Sequence, residues 1–191
     1  MLKKLALFLT MMAVLTGCAN LRPPVENGRL TPAPGQGLAI IALTAQSFSD
    51  ETADLALHIA GAAGTSTSQM RLATDFIRAP GSTHNSTGRL LVLPLPAGHY
   101  MMTNATGSWR RDSSNGFFMR QFINVNIQQP FSIAAGEVVY LGQVHVNMNF
   151  RPDVTFSQNT ERDFFDLQAR SGVTDLSNIV IRPLNAAATV Q

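Results

Sequence analysis

The stretch EVVYLGQVHVNMNF (residues 137–150) carries the cleanest alternation in the chain. Val138, Tyr140, Val144, Val146, Met148 and Phe150 fall on one side, and Gln143, His145, Asn147 and Asn149 on the other. A period of two is the signature of a strand, and a strand with one apolar face needs a second layer to cover it. Gly142 interrupts the run and predicts a bulge or a close backbone approach. This one segment already favours a layered β fold over a helical bundle.

The rest of the chain repeats the theme. LAIIALTA (residues 38–45) is apolar on both faces, as a central strand is. In ADLALHIAGA, Leu55, Leu57 and Ile59 alternate with polar or small residues, and FFMRQFINVNI sets Phe117, Met119, Ile123, Val125 and Ile127 on one side. RLATDFIR (residues 71–78) reads as a further strand and GTSTSQ (residues 64–69) as a loop. Pro96, Ala97 and Gly98 supply turn chemistry between two runs, which predicts a hairpin. Only NTERDFFDLQARSG (residues 159–172) changes period: Phe164, Phe165, Leu167 and Ala169 recur at three and four, Thr160 and Asp163 suggest a capping box, and Gly172 a C-terminal stop. NIVIRPL (residues 178–184) can return as an edge strand closed by Pro183. The expected fold is mainly β, an antiparallel sandwich of seven to eight strands with one C-terminal helix.

The phrases LPLPAGHYMMTNATG and FSIAAGEVVYLGQVHV resemble a pattern of bacterial lipoprotein and surface domains with a transthyretin-like, or carboxypeptidase-regulatory-like, β-sandwich. The resemblance spans residues 90–172 and its motifs are turn and core residues. It implies a fold and brings no catalytic or ligand-binding residues with it.

The N-terminus has a different character. Lys3 and Lys4 precede the apolar run LALFLTMMAVL (residues 5–15), then Thr16, Gly17 and the sole cysteine, Cys18. A cationic start, a short apolar run and small residues form a secretory signal peptide. Eleven apolar residues fall well short of the roughly twenty that a membrane-crossing helix needs. LTGC resembles the lipobox of bacterial lipoproteins. That resemblance implies cleavage before Cys18 and acyl chains on its sulfur and new amine. Two or three chains hold a protein on a membrane almost irreversibly. Ala19 after the cysteine, where an Asp commonly retains such proteins at the inner membrane, favours the periplasmic face of the outer membrane. The expected organisation is a signal peptide over residues 1–17, a lipidated cysteine with a Pro-rich spacer over 18–36, and the sandwich domain with its helix over 37–191.

Loss of Lys3 and Lys4 with the signal peptide leaves twelve arginines against twelve acids. A neutral chain with no basic run longer than Arg110–Arg111 does not suit nucleic acid or an anionic membrane surface. With Cys18 acylated, no disulfide is available, and the domain rests on its core.

Catalytic groupings are not apparent. His58, His84, His99 and His145 form no spaced ligand pair, so no metal is expected, although His58 and His145 could meet if their strands pair. GxSxG, GxGxxG and GK[ST] do not occur. Asp163 and Asp166 share a helical face and read as a polar exterior. The expectation is therefore a protein that is no enzyme, takes no cofactor, and binds another envelope component, a protein above all. One loop stands out as the contact point: TGSWRRDSSNGFF places Trp109, Arg110 and Arg111 at an expected hairpin tip with Phe117 and Phe118 after it, and Trp and Arg carry much of the energy at interfaces. The alternative is a small-ligand or glycan carrier with a cleft lined by Tyr100, Trp109 and Tyr140.

Overall fold

The computed structural model describes residues 23–112 and 118–184. Cys18 and the apolar run before it lie outside the described residues. Twelve strands, one α-helix and a single 3-10 turn (Asp50–Thr52) occur among those described, against the seven or eight strands expected. Their order is β1 (Val25–Glu26), β2 (Arg29–Leu30), β3 (Gln36–Gln46), β4 (Asp54–Gly61), β5 (Gly64–Arg71), β6 (Phe76–Ala79), β7 (Thr83–Pro96), β8 (Gly98–Asp112), β9 (Phe118–Ile133), β10 (Val138–Asn147), β11 (Asp153–Ser157), helix α1 (Thr160–Ser171) and β12 (Ile179–Ile181).

The fold is a β-sandwich with the helix laid on one outer face. A front sheet runs β5-β4-β8-β9, and a back sheet runs β11-β10-β3-β7-β6 with β12 also on β10. Leu55, Leu57, Ile59, Met102 and Ala105 of the front sheet meet Ala39, Ile41, Leu43, Val144 and Val146 of the back one. Strand β3 lies between β10 and β7, as its two apolar faces require: Leu38 and Ile40 point away from the sandwich core and pack under the helix. Its pairing with β10 is parallel, as is that of β12 with β10, while the other ladders are antiparallel.

Gly142 is a bulge. Tyr140 pairs with Ile40 but Gln143 pairs with Ala42, so β10 holds one extra residue, and Gly142 sits at φ +87° with a Cβ position 2.6 Å from the Ser157 carbonyl oxygen. An inserted residue reverses the alternation. Val139, Leu141, Val144, Val146 and Met148 therefore face the sandwich core, whereas Val138 and Tyr140 face the helix. The single apolar face expected from Val138 through Phe150 is thus two faces, and Phe150 lies outside both, 92% exposed.

Other expectations change for reasons of partnership. GTSTSQ is strand β5, paired residue for residue with β4 although its side chains are mostly exposed. Residues 72–75 form a turn and only Phe76–Ala79 is a strand. Pro96–Gly98 is no hairpin: β7 belongs to the back sheet and β8 to the front, so the turn carries the chain across, with the Tyr100 hydroxyl donating to the Pro96 carbonyl at 2.6 Å. The spacer expected through Gln36 is also shorter. From Val25 the chain forms the β1–β2 hairpin, whose Leu30 is buried against Leu38 and Leu167. Arg29 is paired with Asp175, and the Gly28 carbonyl accepts from the Thr174 and Asp175 amides.

Helix α1 is capped by Asn159, whose side chain accepts from the Arg162 amide at 3.1 Å, and ends at Gly172 with φ +69°. Thr160 is thus the first helical residue and Asp163 serves no capping box. Asp163 and Asp166 are buried rather than solvated. Asp163 accepts from the Tyr140 hydroxyl and from Arg162 Nε at 2.7 Å, and Asp166 accepts from the Arg78 amide and Arg170 Nε. Arg162, itself buried, also reaches Ser86 and Gln143. These bonds, with Leu167 against the back sheet, set the rotation of the helix on its bed; burial of a leucine alone contributes about 1.5–3 kcal/mol.

Candidate functional site: an aromatic cleft at one end of the sandwich

The paired strands β8 and β9 run past the last core layer, and the cleft lies against their inner face. Register fixes which side chains point there. Gly107 pairs with Ile123, Trp109 with Gln121 and Arg111 with Met119, on the same side as the buried Ala105 and Val125. Two loops of the back sheet close the other side: Phe48 follows β3, and residues 148–152 join β10 to β11. The resulting cleft has a volume of about 530 Å³ and is lined by Phe48, Trp109, Arg110, Arg111, Gln121, Ile123, Asn149, Phe150 and Pro152, with Ser49 at its margin.

The loops are held locally. The Ser47 amide donates to Asp50 Oδ1 at 3.0 Å, the Arg110 amide donates to Thr52 Oγ1 at 2.9 Å, and the Asn149 amide donates to Asn147 Oδ1 at 3.1 Å. Phe48 and Phe150 meet edge to face with centroids 4.7 Å apart, a favourable aromatic geometry. They are 61% and 92% exposed, so the pair lies at the surface without being buried. Trp109 is half-buried, its body against the sandwich core. Asn149 Oδ1 is buried with no hydrogen-bond partner among the described residues.

Of the residues expected to form a contact loop, Trp109 and Arg111 reach the cleft from within β8 rather than from a hairpin tip, and Arg110 lines it from the same strand. Phe117 lies outside the described residues; Phe118 is placed only through its backbone pairing with Asp112. Sequence reasoning missed Phe48 and Phe150. The serines flanking Phe48 were a sign of a turn rather than a strand, and the Arg151–Pro152 step after Phe150 marks the end of β10.

The three-aromatic cleft expected for a ligand carrier does not form. Tyr100 is buried in the sandwich core against Phe131, Tyr140 lies beneath the helix, and only Trp109 reaches the cleft. His58 and His145 stand on different sheets. His58 bridges Thr67 and Thr106 at 3.1 and 2.7 Å, whereas His145 meets Thr44 at 2.9 Å, and burial lowers its pKa. No group of three metal-ligating side chains occurs among the described residues.

The buried Tyr140–Asp163–Arg162 cluster is the most perturbed electrostatically. Burial raises the Asp163 pKa against the opposing pull of Tyr140 and Arg162, and burial together with the Asp163 carboxylate raises that of Tyr140. Its groups satisfy one another and bear on helix docking. A larger hollow, about 850 Å³, touches all four front strands, but its Asp54 and Ser108 are already engaged with each other and with Arg120. The larger hollow also has an exposed phenylalanine, Phe122, and Arg71 and Arg89 in its wall; what distinguishes the smaller cleft is a pair of rings in contact, Phe48 with Phe150, beside Trp109.

No protein-family model matches the chain, and no curated protein and no solved structure matches it either. No helix among the described residues is long and apolar enough to cross a membrane.

Proposed function

We propose that this chain is a bacterial lipoprotein, acylated at Cys18 and held on the periplasmic face of the outer membrane, whose sandwich is a non-enzymatic binding module for a protein of the envelope. Kinship with transthyretin-like lipoprotein domains is part of the same reading and is supported by the two packed sheets. The observation that carries the binding role is the Phe48–Phe150 pair, two exposed phenylalanines in edge-to-face contact at the mouth of a cleft with arginines in its wall. Rings this exposed add little to the core, and exposed apolar clusters of this kind mark contact sites.

The first described residues, Pro23 and Pro24, lie beside residues 90–94 of β7, level with residues 38–42 of β3. The cleft opens past Gln46, four to eight residues farther along, roughly 13–26 Å at strand rise. Pro23 and the cleft therefore occupy separate parts of the body, which favours a cleft accessible to a partner while the acyl chains are inserted.

Two measurements test the reading. A photo-crosslinking amino acid at Phe150 of the full-length protein in intact cells gives a discrete protein adduct that Phe48→Ala abolishes; no adduct at Phe150, or one indifferent to Phe48→Ala, refutes the site. Cys18→Ser leaves the signal peptide uncleaved and removes acyl-dependent detergent partitioning; processing and partitioning as before refute the anchor.

A further inference from the structure

We propose that the partner is engaged by strand addition: an extended, acidic segment bearing an aromatic side chain pairs along the open edge of β9 and sends that side chain into the cleft. The inference rests on the cleft being the binding site and adds the chemistry and backbone geometry of its occupant.

Strand β9 is an edge of the front sheet and pairs with β8 alone among the described strands. Residues 119–127 contain no proline and precede the irregularity at Gln128, where φ is +52°. Nine residues of plain strand present a row of unpaired amides and carbonyls, a template for another chain. Long edges are ordinarily blunted by proline, lysine or a bulge. Here Pro130 and the Gln128 irregularity guard only the far end, and Arg120, the one charged side chain in the open stretch, is drawn to Asp54. The other edges are less suited: β6 and β11 are short, and β5 does not border the cleft.

The edge and the cleft are continuous. Gln121 and Ile123 of β9 line the cleft together with Phe150 and Pro152, and Met119 lies on the same side, 57% exposed. In strand addition the backbone ladder gives affinity, and pockets for alternate side chains give specificity. A side chain on the inner face of an added strand points toward the Phe150–Pro152 turn. There the Phe48–Phe150 pair and Trp109 offer edges and faces suited to an aromatic ring.

Charge selects the rest of the segment. Arg110 and Arg111 line the cleft and none of its lining residues is a carboxylate; just outside it Arg151 stands between Phe150 and Pro152, while the adjoining acids Asp50 and Asp153 are engaged elsewhere, Asp50 by the Ser47 amide and Asp153 beside His145. A carboxylate one or two residues from the ring meets Arg111, and a basic segment is repelled.

The full-length protein in detergent micelles is panned against phage-displayed random dodecapeptides. A selected peptide is then labelled for fluorescence anisotropy, and amide hydrogen exchange is measured with and without it. The proposal expects proline-free sequences with an aromatic residue and nearby Asp or Glu. Phe150→Ala and Arg111→Glu weaken binding by roughly tenfold or more, and the amides of residues 119–127 that face away from β8 gain protection. Peptides whose binding depends on Phe150 but leaves these amides unprotected overturn strand addition while sparing the cleft as a binding site. Selection of basic sequences, or of none above background, overturns the proposed occupant. Failure of the Phe150 crosslink removes the cleft reading itself.

Discussion

Replacing Arg162 by methionine isolates what the buried charges beneath the helix do. Arg162 is 4% exposed and Asp163 fully buried, and the guanidinium spans Asp163, Ser86 and Gln143. The replacement keeps an unbranched side chain of similar reach but leaves the Asp163 carboxylate with the Tyr140 hydroxyl as its hydrogen-bond donor. Removing one partner of a buried pair costs about 3–5 kcal/mol, chiefly as the penalty of the stranded charge. For a domain of this size, at about 2–4 °C per kcal/mol, the melting temperature falls by roughly 10 °C. Removing the charge and its hydroxyl donor as well, in the triple variant Arg162→Met, Asp163→Leu, Tyr140→Phe, recovers most of the loss, because apolar groups of similar volume replace such clusters at little cost.

Acidity gives an independent check on the same cause. Burial raises the Asp163 pKa in the folded state, so its contribution is favourable below the ordinary carboxylate value and is lost as pH rises through the folded one. Without Arg162 the folded value rises further, and the deficit of the single variant narrows as the solution is acidified. Urea unfolding followed by Trp109 fluorescence and by far-ultraviolet circular dichroism reads both quantities, with coincident transitions as the two-state test. A loss under about 1 kcal/mol in the single variant, or a triple variant no more stable than the single, refutes the account of the cluster as a mutually dependent unit.

Gly142→Ala combines positive φ with a Cβ 2.6 Å from the Ser157 carbonyl oxygen and costs about 2–4 kcal/mol, whereas Gly136→Ala, at φ +77° with no neighbour within 4 Å, costs about 1 kcal/mol; thermal unfolding of the two ranks them. Phe48→Ala and Phe150→Ala each change stability by no more than about 0.5 kcal/mol, because both rings are exposed, and a larger loss in urea unfolding argues for a structural role instead. Asp175 is held at a pKa of about 2 by the Ser177 hydroxyl and amide and by Arg29; its stabilisation is present above the ordinary carboxylate value and lost as pH falls toward 2, and Ser177→Ala raises the value in an NMR titration.

Much of the fold was legible in local pattern. The two apolar faces of residues 38–45 implied a central strand, the alternation of Leu55, Leu57 and Ile59 a half-buried one, and the three-and-four spacing around Phe164 and Leu167 the one α-helix among the described residues. These follow from backbone period and burial, which each segment encodes by itself. The misread features all depend on a distant partner. Pro96–Gly98 looks like a hairpin because turn chemistry does not say whether the next strand joins the same sheet. GTSTSQ looks like a loop because its strand state comes from a ladder with β4. Asp163 and Asp166 look solvated because nothing local announces Tyr140, Arg162 and the Arg78 amide.

The candidate site divides in the same way. Composition picked out Trp109, Arg110 and Arg111, since a lone Trp beside arginines is conspicuous in any sequence. Phe48 and Phe150 are about a hundred residues apart, and their meeting is set by the parallel pairing of β3 with β10, whose ends bring both loops to one end of the sandwich. The sequence by itself determined the signal-like N-terminus, the strand periods and the helix. Tertiary structure alone decided which faces are covered, because one inserted residue at Gly142 exchanges the inner and outer sides of everything beyond it, and a bulge is an agreement between two strands rather than a property of either.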